Sequence, residues 1–105
     1  MSWQVKYLPQ AVEDLRKLDG SQRLLIRKAI DKVAVNPLPQ AEGGYGKPLG
    51  SNLTGFLKVK LRSSGLRIVY KVIRTEEEML IVVIGALEDD EVYDLAGQRI
   101  KQEDL

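Results

Sequence analysis

The chain has 105 residues, a net charge of +1, no cysteine and no histidine. That length holds one modest core of packed layers and excludes two, so residues 1–105 read as a single domain. The missing cysteines exclude a disulfide framework and thiolate chemistry, and the missing histidines remove the usual general base and metal ligand, leaving proton transfer to Lys, Tyr, Asp or Glu.

The opening Met1 to Lys6 lacks the apolar run of a signal peptide, and no stretch approaches a membrane span; the expectation is a soluble, intracellular chain. Trp3, Val5 and Tyr7 alternate with Ser2, Gln4 and Lys6, which predicts a short half-buried strand. Pro9 suits a first helical turn, and Leu8, Val12, Leu15 and Leu18 recur at helical spacing until Asp19-Gly20 stops the helix. Ser21 is the expected N-cap of a second helix, with an apolar stripe of Leu25, Ile26, Ala29, Ile30 and Val33 that ends before Asn36-Pro37. So short a joint predicts antiparallel neighbours. From Asn36 to Gly55 the chain is dense in Pro and Gly, and a connection of that length in a small domain is commonly functional or mobile. It is not a phosphate-cradling loop of the P-loop type, because Gly46-Lys47 is followed by Pro48 rather than Ser or Thr.

Phe56 to Tyr70 is the centre of the pattern. As a strand, its first half places Leu57, Val59 and Leu61 on one face and Lys58, Lys60 and Arg62 on the other; Ser63-Ser64-Gly65 supplies a turn, and Leu66 to Ile73 returns. Like charges on neighbouring positions repel, so a row of cations fits either a solvated outer face or a face that an anion occupies. Arg67 adds a cation on the adjacent strand. Every charged residue from Lys47 to Arg74 is basic, and every one from Glu76 to Asp94 is acidic, a segregation that suggests a nucleic-acid or acidic-partner face, or two blocks that fold beside each other. Thr75 to Glu78 reads as a charged turn, and Met79 to Ile84, apolar throughout, as the most buried strand. Glu88 to Ile100 carries Val92, Leu95, Ala96 and Ile100 at helical spacing, with Tyr93 beside that stripe.

The order strand, helical hairpin, three strands, C-terminal helix, with Lys58-Val59-Lys60-Leu61-Arg62-Ser63-Ser64-Gly65-Leu66-Arg67-Ile68-Val69-Tyr70 and the later Glu91-Val92-Tyr93, resembles the RelE/ParE superfamily of toxins from bacterial toxin-antitoxin modules, in its RelE-like branch. The resemblance implies an α+β fold: a twisted antiparallel sheet with the helical hairpin on one face and a short C-terminal helix. It implies a cytoplasmic toxin that enters the ribosomal A site and cuts messenger RNA by attack of a ribose 2′-OH on the adjacent phosphate, with no metal and no cofactor. On this resemblance Lys58, Lys60, Arg67 and Tyr93 are the catalytic candidates, Arg62, Lys47 and Lys71 further RNA-binding candidates, and the partners are a cognate antitoxin, the ribosome and its message, with no membrane. One departure stands out: where the family commonly has an arginine just after the last strand, this chain reads Gly85-Ala86-Leu87-Glu88. Two other readings therefore stay open, a ParE-like inhibitor of DNA gyrase that is not an enzyme, and a member without catalysis that survives as an antitoxin-binding module.

Overall fold

A three-residue joint between two helices and a proline set the first half of the chain. In the computed structural model, which describes residues 2–50, 53, 55–86 and 88–105, strand β1 (Gln4–Tyr7) runs into helix α1 (Pro9–Arg16) with Pro9 at the first helical position. Proline is favoured there because its missing N–H is one that the first turn leaves unpaired anyway. Helix α2 (Gly20–Val33) starts on Asp19, not on Ser21. The Asp19 carboxylate accepts from the Gln22 backbone N–H at 2.8 Å and from the Ser21 hydroxyl at 2.7 Å, while the Gln22 side chain accepts from the Asp19 N–H. A carboxylate followed three residues later by Gln closes a capping box that a serine inside the first turn cannot make. Ile26, Ile30 and Val33 of α2 are buried, whereas Leu25 lies on the exposed side.

The sheet has five strands in the order β1-β5-β4-β3-β2: β2 (Lys47–Pro48), β3 (Phe56–Leu61), β4 (Leu66–Ile73) and β5 (Glu78–Gly85) complete it. From β2 to β5 every pairing is antiparallel, and β1 lies parallel to β5. The β3–β4 turn uses Gly65 at φ 73°, a conformation glycine adopts without a Cβ clash. Helix α3 (Asp89–Gln102) follows β5. Val59 and Leu61 meet Ala29 and Val33 of α2, whereas Lys58 on the opposite face meets Tyr93 of α3. The sheet thus separates the helical hairpin from α3. Covered on both faces, β5 is apolar without alternation, and Met79, Ile81, Val82, Val83 and Ile84 are buried.

The Pro- and Gly-rich connection packs on the sheet. The Tyr70 hydroxyl donates to the Pro37 carbonyl at 2.7 Å, and Arg74 grips Glu42 through two bonds of 2.9 and 2.7 Å. Gly46 lies so close to the Tyr70 hydroxyl and Leu57 that a Cβ would collide with both. Among the described residues no helix is long and apolar enough to cross a membrane.

Candidate functional site: a basic groove at the sheet edge

Strand register decides which cations meet. β2 pairs with β3 so that Lys47 stands directly opposite Lys58, and β3 pairs with β4 so that Lys60 stands directly opposite Arg67. Both pairs lie on the same face of the sheet, so the register gathers four cationic positions there. Since β2 ends after two residues, the rest of β3 borders an open groove of about 500 Å³ lined by Gln40, Tyr45, Lys47, Lys58, Val59, Lys60 and Arg62.

Lys58, half-buried, donates from its ammonium to the Tyr93 hydroxyl oxygen at 2.8 Å, and the same nitrogen lies 5.0 Å from the ring centre. An ammonium can only donate, so the phenol accepts here and its own proton remains available for a further partner. Lys60 and Arg62 are exposed. Arg67 is 8% exposed, and its neighbour on the far side is Gly85 of β5. Burial sets Arg67 apart from the exposed Lys60 and Arg62, and it does not line the groove. Lys71 is also set apart. Its ammonium lies 5.5 Å from the centre of the Phe56 ring and 3.5 Å from the Leu105 backbone oxygen. Leu87, at the place of the family's arginine, falls outside the described residues.

A second hollow of about 470 Å³ is lined mostly by apolar residues, among them Pro39, Pro48, Leu53, Phe56, Leu57 and Val72. Its charged residue, Arg74, is engaged with Glu42. Donors for an anion are concentrated in the first groove, not in this one. Among the described residues no group of three or more His, Cys, Asp or Glu is placed to hold a metal ion. Sequence reasoning found the lysines through their alternation but passed over Tyr45, which carries no periodic signal because it lies in a loop.

The architecture is that of an α+β protein with a cation-lined groove at the open edge of a mixed sheet. Residues 5–90 match the family described as ParE toxin of type II toxin-antitoxin system, parDE. The chain is similar to the mRNA interferase toxin RelE of Escherichia coli K12, 32% identical over 100 residues that take in 95% of this chain and 99% of that protein. Among solved structures it is similar to a free E. coli RelE carrying two Arg→Ala substitutions, with a TM-score of 0.76, 30% identity, and coverage of 95% of this chain and 99% of that one. It is also similar to the toxin in the intact E. coli RelBE toxin–antitoxin complex, with a TM-score of 0.69, 29% identity, and coverage of 83% and 99%. The chain belongs to the RelE/ParE superfamily of toxins from type II toxin-antitoxin modules.

Proposed function

We propose that this chain is the toxin of a type II module and acts in the cytoplasm as an mRNA interferase, a ribosome-dependent endoribonuclease held inactive by a cognate antitoxin. The observation that carries this reading is the gathering of Lys47, Lys58, Lys60 and Arg62 around one open groove. Cations brought together on one open surface offer converging donors to a phosphate. Support also comes from likeness over nearly the whole chain to a protein named mRNA interferase toxin RelE, and from relatives seen in complex with antitoxins.

In the proposed reaction the ribose 2′-oxygen forms a bond to the adjacent phosphorus while the bond from phosphorus to the 5′-oxygen breaks. The products are a 2′,3′-cyclic phosphate and a 5′-hydroxyl. The 2′-proton passes to solvent water, and the departing 5′-oxygen takes up a proton. Charge builds on the non-bridging oxygens, and Lys60, with Lys47 and Arg62, supplies donors beside the groove for it. Tyr93, accepting from Lys58, keeps its own proton and is the assigned donor to the leaving oxygen. Lys71, tied to the Phe56 ring and the Leu105 carbonyl, serves at most the outer path of the RNA.

The test is expression of the wild type and variants with mapping of message ends on ribosomes. Because Lys60 is exposed, Lys60→Ala is expected to keep the fold and lose cleavage by about 10²-fold, the usual effect of deleting one transition-state donor. Leu87→Arg is expected to raise the rate by restoring the family's missing donor. Growth arrest with intact messages and failed gyrase-dependent supercoiling would replace this reading with the gyrase one.

A further inference from the structure

Tyr45 is 45% exposed, a large aromatic left in the open at the rim of a groove that otherwise presents cations. It is not loosely held. Its backbone N–H donates to Asn36 O at 3.2 Å, and on either side of it Gly44 and Gly46 pack too tightly, against Leu38 and against Tyr70 and Leu57, to accept a Cβ. The Lys32 ammonium lies over the ring, 5.3 Å from its centre. Tyr45 borders both the basic groove and a smaller hollow of about 210 Å³ toward α2, whereas Lys32 borders only the hollow. The cation takes one side of the ring, and the 45% exposure leaves much of the rest of the side chain open beside the groove.

We infer that Tyr45 is the base platform of this groove: a single-stranded RNA nucleotide lays its phosphate on the Lys47, Lys58, Lys60 and Arg62 side and stacks its base on the open part of the Tyr45 side chain. Cations that track the backbone beside an aromatic that takes the base are the two parts of a single-strand site. The inference rests on the RNA-cleaving reading above and names the residue that holds the nucleotide flanking the cut. Tyr45 is a substrate-binding residue and exchanges no proton in this scheme.

Cleavage of ribosome-held messages is measured for wild type, Tyr45→Ala, Tyr45→Leu and Tyr45→Phe. Ala and Leu are expected to lower kcat/KM by roughly five- to a hundredfold and to shift the preferred bases beside the cut, while Phe, which keeps the π-face, stays near wild type. Lys32→Gln separates a purely structural role, since it removes the ring's cation and is expected to leave base preference unchanged. Tyr45→Trp gives a reading independent of cleavage: its fluorescence should be quenched by a single-stranded oligonucleotide blocked at the 2′-oxygens, with the wild type, whose only tryptophan is Trp3, as control. Unchanged rates and cut positions in Tyr45→Ala, or absence of quenching, overturn the platform, even if antitoxin binding weakens. Quenching in a wild type background that leaves messages intact keeps the platform and overturns the nuclease instead.

Discussion

Tyr70 shows how one buried hydroxyl controls a long loop. The side chain is fully buried, and burial pushes its phenol well above the ordinary range, so it remains a donor to the Pro37 carbonyl at any working pH. The bond fixes the start of the segment that carries Tyr45 and Lys47, and Gly46 lets the same segment close over the ring. Tyr70→Phe removes the donor and leaves a buried carbonyl unsatisfied. The expected loss is about 1–3 kcal/mol in urea unfolding, with faster hydrogen exchange across residues 36–50 than elsewhere. The sequence marked Tyr70 only as part of a β-rich run, because a strand pattern says which way a side chain points and not what its hydroxyl will reach. The exchange of Asp19 for Ser21 as the α2 cap has a similar cause: both are good capping residues, and only the backbone, extended at Asp19, decides between them.

At the scale of elements, the outer edge of β5 is closed by side chains. β1 runs out at Tyr7, and the Leu8 N–H makes the last bond, to Ile81 O at 3.0 Å. Beyond it the register with β4 skips Val82, passing from Ile81 opposite Tyr70 to Val83 opposite Val69. A bulge of this kind leaves backbone groups without ladder partners. Arg99 of α3 donates to Val82 O at 2.8 Å, and Asp14 of α1 accepts from the Ile84 N–H at 3.0 Å. The two side chains also clasp each other through bonds of 2.6 and 3.0 Å, each only 10% exposed. One ion pair thus ties α1 and α3 to β5. Arg99→Ala leaves Asp14 buried with its charge uncompensated and is expected to cost about 3–5 kcal/mol, read by denaturant titration, with α3 the first element to lose protection. The sequence showed α3 and its apolar stripe, but the stripe pointed to Ile100 where burial favours Arg99. Periodicity locates a helix face; it has no means of finding a carboxylate 85 residues away.

Seen whole, the molecule keeps its acids at joints. Asp19 caps α2, Glu42 ties the long loop to Arg74, Glu78 meets Lys6 at 2.7 Å, and Glu91 accepts from the Glu88 N–H at 3.3 Å at the start of α3. The Asp19 carboxyl is held below its ordinary value chiefly by the Gln22 N–H, and that of Glu42 chiefly by Arg74. The native state therefore binds fewer protons at these groups than the unfolded chain does. The stability they give is complete above the ordinary carboxyl range and is lost as pH falls through their lowered folded values. The melting temperature is expected to fall below about pH 4, and Asp19→Asn with Glu42→Gln should flatten that slope. The segregation of charge along the chain was plain in the sequence, as were the alternating β3, the apolar β5 and the helical hairpin, because local periods record burial. The parallel placement of β1 on β5 and the short β2 were not, because both depend on partners distant in the chain or on a loop without a period.

That parallel pairing has a consequence for how such a chain comes into being. The first strand of the sheet waits for the last: Gln4–Tyr7 finds its place only beside Glu78–Ile81, and Tyr93 joins Lys58 only once α3 exists. During synthesis the lysine strand emerges well before α3, whose Tyr93 it meets. A nascent chain of this topology can complete neither its sheet nor the contact between Lys58 and Tyr93 until β5 and α3 have emerged. The same delay gives a partner protein an opening, since before α3 docks Lys58 has not yet found Tyr93.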